Sequence, residues 1–459
     1  MAAAKVKNFG LKIWEHKKKT MFAGAVLYWA GNWVRKNQRN ASIRTYYAKE
    51  ALQFGNQLVS AESRPRRITV LGNSSANERH VWDDFTTNAL PLFHLAGLEV
   101  HVIKTETSEQ LEKLALVLDG EEADAIYVVG GDGTIQRALT AIFREKDFAP
   151  LPIGFSPGGY DNLALRALLP TVFKEEGDVR RWCESAMCVI EDTRREVKVT
   201  QTTVTTTRTK EIEEKEGEDG VVIPATSSIE TTSTTEYGIS PIYGGWFGHI
   251  EERRRKLWYW FGLKRRFAYF WEMVKRSPSP TSLSLSYEEF CPGCNQCRSP
   301  VVIEKPQWRW YHLLIGMPMN KNIKVERDYS KIVNENCGKK GETKIDAVEF
   351  NVNTGQMEDS CRLWLESSSG LGRFGVMREG WSRCSNGDVA HSTNEIYDTK
   401  LAARAITLHV DAIPTFLSRV YVAGDSVEVK EGDSIDIRAT RKTLQAFLPL
   451  STRLNLNQL

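Results

Sequence analysis

The sequence predicts an α/β domain built on a parallel sheet, followed by a mostly β domain, and three observations carry that reading. From Arg67 short apolar runs alternate with amphipathic segments, two of those runs end in glycine turns, and from Arg195 the pattern changes to Val- and Thr-rich alternation. Strands alternating with helices form a parallel sheet covered on both faces, with ligands at the strand carboxyl ends. Period-two alternation belongs to half-buried strands. A chain of 459 residues, 41% of them hydrophobic, is long enough for two or three domains with sizeable cores.

The chain opens with a basic segment. Between Met1 and Arg44 ten Lys and Arg face one acid, Glu15, and flank an apolar run from Met21 to Val34 that holds Trp29 and Trp33. The run is shorter than the roughly 20 apolar residues that span a bilayer, and Asn32 interrupts it, so residues 1–44 are expected to associate with a membrane, lying on it or crossing it. The Ala-containing, nearly acid-free start suits a mitochondrial address better than a secretory signal, because no small-residue cleavage site precedes its aromatic end. The net charge of +3 excludes a general polyanion binder, and no nucleic-acid partner is expected, since the hydrophobic insert is out of place in a nucleic-acid-binding arm.

A polar helix over 46–58 leads to a strand over 67–71, bounded by Gly72 and Asn73. Then come a helix over 85–95, a strand over 99–104, a helix over 108–118 and a strand over 125–129. A helix follows from Thr134 to about Arg144, then a strand over 152–155 and helices over 163–169 and 179–189. These elements place the α/β domain at 61–190. The second domain, 191–450, is expected to hold short strands, including 312–315, 347–352, 363–365, 405–410, 426–429 and 434–438. Within it, residues 201–236 are rich in Thr, Ser, Glu and Lys and read as a flexible insert. At 253–276 a basic run precedes Trp258, Tyr259, Trp260 and Phe261, and Phe267, Phe270, Trp271 and Val274 then sit at helical spacing. Aromatics with cationic flanks suit a membrane interface, and a helix packed on the core explains the same spacing.

The run from Ala125 to Thr134 ends an apolar strand in Gly130, Gly131, Asp132 and Gly133 before an amphipathic helix begins. That is a place to hold a phosphate. The glycines have no Cβ, so they can adopt positive φ and let backbone N–H groups approach an anion closely. Thr134 is expected to cap the helix, whose Ile135, Leu139, Ile142 and Phe143 form one apolar face and whose positive dipole end faces the glycines. A second turn follows at Pro152 to Arg166, with Pro157, Gly159, Asn162 and Arg166, so two glycine turns flank one cleft.

Cys291, Cys294 and Cys297 have a spacing that could supply three soft ligands to zinc. Cys337, Cys361, Cys384 or His312 could complete the set. A disulfide, or plain reduced thiols, are the alternatives.

These two glycine motifs together resemble those of the lipid-kinase superfamily that includes diacylglycerol, sphingosine and ceramide kinases. Pro157, Gly159, Asn162 and Arg166 match its second motif residue by residue. Within it the chain is similar to the mitochondrial acylglycerol kinases, in its basic and apolar start, in 53–58, and in 92–98 before a strand ending at 103–105. The resemblance covers roughly residues 10 to 170. It implies an α/β nucleotide-binding domain followed by a β lipid-substrate domain, and transfer of the ATP γ-phosphoryl group to monoacylglycerol or diacylglycerol, with magnesium bridging phosphate oxygens. By that resemblance Asp132 is the catalytic carboxylate, accepting the hydroxyl proton or orienting magnesium, directly or through water. Gly130, Gly131, Gly133, Thr134, Asn73, Gly159, Asn162 and Arg166 then bind nucleotide, with Asn162 contacting it or supporting the loop and Arg166 pairing with phosphate or else forming a surface ion pair. It also implies the mitochondrial inner membrane, facing the intermembrane space, and a role independent of catalysis as a subunit of the carrier translocase. Three departures stand out: residues 73–80 lack the proline and glycine of the family's first motif, Tyr160 replaces a threonine, and 367–373 lack the acids of the family's β domain. Asp425, Asp433 or Asp436 are candidates to substitute for those acids.

Overall fold

The computed structural model describes residues 17–57, 64–74, 80–159, 161–168, 179–212, 226–255, 257, 263–297, 329, 331–355, 362–386, 396–422 and 425–449. Its first half runs α1 (Lys17–Gly55), β1 (Arg67–Asn73), α2 (His80–Asn88), α3 (Leu90–Leu95), β2 (Glu99–Thr105), α4 (Ser108–Val117), β3 (Ala125–Val129), α5 (Asp132–Glu145), β4 (Ile153–Phe155), α6 (Leu163–Leu168) and α7 (Val179–Ile190). The four strands are parallel in the order β4-β3-β1-β2. Buried residues of α4, α5 and α6 cover one face of this sheet, and those of α1, α2, α3 and α7 cover the other. The predicted helix over 85–95 is split in two at Ala89, because Pro91 sits at the start of α3 and cannot continue a hydrogen-bond ladder. At α4 the cap is Thr107, whose side chain accepts the Gln110 N–H at 3.3 Å.

One helix, α1, takes in both the apolar run and the polar stretch that the sequence separates. Its C-terminal turns dock through Ile43, Tyr47 and Ala51, which recur every four residues and are fully buried, and the Tyr47 hydroxyl donates to Glu184 Oε1 on α7 at 2.6 Å. Burying Ile43 and Tyr47 contributes about 2 kcal/mol each. The turns toward its N-terminus leave Leu27, Tyr28, Trp29 and Trp33 exposed. None of the described helices is long and apolar enough to cross a membrane.

The second half continues with β5 (Arg194–Ile212), β6 (Thr226–Gly238), β7 (Ile242–Gly245), α8 (Trp246–Arg255), α9 (Lys264–Lys275), β8 (Thr281–Glu289), β9 (Lys340–Ala347), β10 (Glu349–Gly355), β11 (Arg362–Ser368), α10 (Arg373–Asn386), β12 (Thr399–Ala412), β13 (Arg419–Val422), β14 (Asp425–Glu428) and β15 (Ser434–Phe447). These strands pair antiparallel around a core that includes Leu285, Val352, Leu365, Ile406, Leu408 and Ile437. The two halves share one sheet, because β15 lies antiparallel to β5 and β12 and its last residues run parallel to β4, Ala446 opposite Ile153.

The stretch that composition assigns to a flexible insert instead forms most of a β-hairpin, β5 with β6. Its threonines are β-branched and favour the pleated surface, and facing pairs bond across it, as Thr203 and Thr235 do through hydroxyls 3.1 Å apart. The strand expected at 312–315 lies outside the described residues.

Candidate active site

The carboxyl ends of β1, β3 and β4 open on one side of the parallel sheet. Gly72 pairs with Val129 and Asn73, the last residue of β1, with Thr105 of β2, so β1 ends beside Gly130, where the first glycine turn starts. From β4 comes Ser156, whose hydroxyl accepts the Gly130 N–H at 3.0 Å and whose own N–H reaches Val128 O at 2.9 Å. Residues 75–79 and Tyr160 lie outside the described residues.

Glycine is needed here for close approach. The freedom of Gly130, Gly131 and Gly133 to adopt positive φ is not used: among the described residues positive φ falls at other glycines and at Asn162 and Asp192. A Cβ on Gly131 would lie 2.8 Å from Gly159 Cα, and the reverse holds for Gly159, so the two turns touch backbone to backbone. A Cβ on Gly130 would overlap the Thr134 side chain, and one on Gly133 would lie 2.7 Å from Asp425 Oδ1. Thr134 is not the cap of the helix. α5 begins at Asp132 with Gly131 at the N-cap, extended at φ −98 and ψ −170 with no side-chain cap, so Thr134 stands in the first turn. Without a capping side chain, the N–H groups at that end are left for a ligand.

Asp132 is buried between the turns. Its Oδ1 accepts the Ala164 N–H at 2.9 Å, and Leu163 adds a second backbone donor, so the carboxylate caps α6 from across the cleft. Burial raises its pKa to about 6 against the pull of those two N–H groups, and Asp161 pushes the same way as burial while Arg166 opposes it. Asn162 takes φ 51, a left-handed conformation that Asn tolerates better than most residues. Its Oδ1 accepts the Gly159 N–H at 2.7 Å and its Nδ2 donates to Gly159 O at 3.0 Å. Of the two roles the sequence offers Asn162, these bonds show it supporting the loop.

Arg166 forms no surface ion pair. The side chain is buried, 5% exposed, and none of its three guanidinium nitrogens has a hydrogen-bond partner among the described residues. A buried cation without bonds costs several kcal/mol. Asp161, by contrast, is bound by Arg254 Nη2 at 3.0 Å; Arg254 also pairs with Glu251, which takes Arg265 Nε and the Tyr269 hydroxyl, each at 2.8 Å. This chain of buried charges ties the second glycine turn to α8 and α9. Sequence reading missed it, since Arg254 stands in a basic run that looks solvated. Residues 258–262 of that segment lie outside the described residues. On α9 the buried side holds Arg265, Tyr269 and Glu272, while Phe270, Trp271 and Val274 face outward.

Of the three acids proposed to substitute in the β domain, Asp425 alone reaches the first turn. It lies against Gly133 and pairs with Arg137 Nη2 of α5 at 3.3 Å. Glu236 stands close enough to Asp425 for the two charges to interact, and burial together with Asp425 raises its pKa. Asp433 is structural, accepting the Thr207 and Lys430 N–H groups and pairing with Arg208, which holds its pKa below the ordinary value. Asp436 binds Thr407 and Arg438.

Residues 67–202 match the diacylglycerol kinase catalytic domain. The chain is 43% identical over 450 residues to an uncharacterized protein of Caenorhabditis elegans, covering 97% of each chain. The chain carries the catalytic domain of the diacylglycerol kinases. It is also 28% identical over 276 residues to the mitochondrial acylglycerol kinase of Homo sapiens, a match that spans 59% of this chain and 58% of that kinase. Among solved structures it is similar to a diacylglycerol kinase from Bacillus anthracis, with a TM-score of 0.44 and 12% identity, covering 85% of this chain and 99% of that one. The matched span contains both glycine turns, Asp132 and Arg166, while Asp425 and Arg254 lie beyond it.

Proposed function

We propose that the protein transfers the γ-phosphoryl group of ATP to the free hydroxyl of monoacylglycerol and diacylglycerol, forming lysophosphatidic and phosphatidic acid on the mitochondrial inner membrane, facing the intermembrane space. The observation that carries it is the buried guanidinium of Arg166, without a hydrogen-bond partner among the described residues, beside two touching glycine turns that together would cradle phosphate oxygens. Phosphoryl transfer needs positioning and charge neutralisation more than covalent chemistry. In this reading the N–H groups at the start of α5 and Arg166 hold the phosphates, Asn162 keeps Gly159 in place, and Asp132 takes the hydroxyl proton. A base with a pKa of about 6 is mostly ionised at neutral pH and still accepts a proton readily.

The donor set fits magnesium, which is typically held by one or two carboxylates plus substrate phosphates. Asp425 and Glu236 would hold it, with Asp132 contributing through water. Magnesium, when bound, neutralises charge developing on the phosphate oxygens. The outward aromatics of α9 support a membrane-borne substrate, as do Phe374 and Trp381 on α10 and the exposed Trp29 and Trp33 of α1. The exposed stripe of α1 is also the observation behind a second reading, a catalysis-independent role as a subunit of the mitochondrial carrier translocase.

Radiolabelled ATP offered with monoacylglycerol, diacylglycerol, sphingosine, ceramide or NAD, to wild type beside Asp132→Asn, tests the proposal. Label is expected in lysophosphatidic and phosphatidic acid, roughly 100-fold or more weaker with the variant. Label only in sphingosine or ceramide moves the substrate. No label in any lipid sinks the kinase reading and leaves the translocase subunit, to be sought by co-purification with inner-membrane carriers.

A further inference from the structure

The geometry points to a structural zinc site of four thiolates, Cys291, Cys294, Cys297 and Cys337, closing the base of the β8–β9 hairpin. The four sulfurs all lie within 4.8 Å of one another, with Cys294 Sγ 3.7 Å and Cys291 Sγ 3.8 Å from Cys297 Sγ. A tetrahedral ion with Zn–S bonds of about 2.3 Å sets its sulfurs about 3.8 Å apart. A disulfide requires about 2.05 Å, and all four cysteines are free thiols. A mononuclear ion fits this spacing, which leaves no room for bridging sulfides between the thiols.

The surroundings are those of a built site. Cys291 and Cys294 are buried, and the residue between them at the bend, Gly293, takes φ +138 with the Tyr329 ring packed where a Cβ would be. Two N–H donors point at sulfur: the Cys294 backbone at Cys297 Sγ, 3.3 Å away, and Asn334 Nδ2 at Cys291 Sγ, 3.2 Å away. Such donors orient thiolate ligands and disperse their charge. The first arm is bonded to the second through the Asn295 N–H and Ile332 O at 3.0 Å.

The position in the fold gives the site its use. β8 and β9 pair along their length, and the bond from Glu289 N to Lys339 O extends the pairing to the cysteines. The connection between the strands, residues 290–339, is far longer than an ordinary hairpin loop. An ion that ties Cys337 to the first three cysteines removes most of its length from the entropy of closing the hairpin. Of the possible fourth ligands, Cys384 lies on α10 against Arg265 and does not join the cluster; Cys361 and His312 lie outside the described residues.

The full-length protein, purified under reducing conditions, is assayed for metal by mass spectrometry, stripped with chelator and titrated with cobalt(II) chloride. About one zinc per chain is expected, together with thiolate-to-cobalt charge-transfer and tetrahedral d–d absorption. Cys337→Ser should lower zinc content at least ten-fold and Cys384→Ser should not. Zinc below about a tenth of an equivalent after zinc sulfate loading, iron in its place, a disulfide among these cysteines in the reduced preparation, or full occupancy in Cys337→Ser would overturn the site. If Cys337→Ser fails to fold, the cobalt spectrum of the native chain still decides, because octahedral, thiolate-free cobalt excludes it.

Discussion

Two arginines lie close to the second glycine turn, both sealed from solvent, and their surroundings are opposite. Arg254 is paired with Asp161 and Glu251 inside a network that the protein completes by itself. Arg166 has no hydrogen bond among the described residues. A protein bears the cost of a buried cation either by pairing it internally or by reserving it for a charged partner. Arg254 therefore reads as architecture that fixes the turn to α8, and Arg166, in the proposed function, as the group aimed at substrate. Asp132 lies between the two influences, with Asp161 raising its pKa and Arg166 lowering it.

The largest expected effect is at Asp132. Asp132→Asn should reduce phosphoryl transfer by about 10²–10⁴-fold, the range for loss of a positioned general base, and wild-type kcat should rise with pH through about 6. Stability should move the other way. Because burial raises the folded-state pKa, the group's contribution is full below its unfolded value near 4 and is lost as pH rises through about 6, a change on the order of 3 kcal/mol. The Asn variant should therefore gain Tm relative to wild type as pH increases from 4 to 7. A Tm difference that stays flat over that window would show that Asp132 is not held in the low-polarity setting assigned to it.

Next come the arginines themselves. Arg254→Met removes the buried cation that Asp161 and Glu251 share and should cost about 3–5 kcal/mol of stability, read by denaturant unfolding. Arg166→Met removes an unpaired charge and should leave stability unchanged or slightly higher. Its cost should appear in catalysis, with kcat/KM for ATP lowered by about 2–3 kcal/mol, or 30- to 150-fold, the value of charge-assisted bonds to phosphate. Equal destabilisation by the two variants, with no change in ATP kinetics for Arg166→Met, would dissolve the contrast.

The same contrast explains what the sequence made legible. Local periodicity was enough for β1 to β4 and for α5, whose Ile135, Leu139, Ile142 and Phe143 face inward as their spacing requires. Motif spacing was enough to bring Gly131 and Gly159 to one cleft. What it could not supply were long-range partners. Arg254 reads as one cation in a basic run until the fold sets it on Asp161, Asp425 is one of three comparable acids until β14 meets Gly133, and Cys337 is one of four possible ligands until β9 pairs with β8. The β5–β6 hairpin is hidden for a different reason: its polar composition masks the β-branched character of its threonines, and only pairing between two such segments tells a strand from a loop. Thr134 was misplaced because a threonine after glycines is a common N-cap, whereas here Gly131 takes the extended conformation one turn earlier.

The smallest effect separates the two things Asn162 does. Its backbone stands at φ 51 while its side chain closes on both sides of the Gly159 peptide. Asn162→Gly keeps the backbone comfortable and loses the two side-chain bonds, a cost of about 1 kcal/mol each at most. Asn162→Ala loses the same bonds and adds roughly 1–2 kcal/mol for a Cβ in the left-handed region. Ala should therefore be less stable than Gly by that increment in thermal unfolding. Both should raise KM for ATP to a similar degree, because both free Gly159 from its place against Gly131, and a free Gly159 no longer holds its side of the phosphate cradle. If the Gly variant bound ATP like wild type while the Ala variant did not, backbone strain rather than the Gly159 clasp would be the feature that shapes the turn.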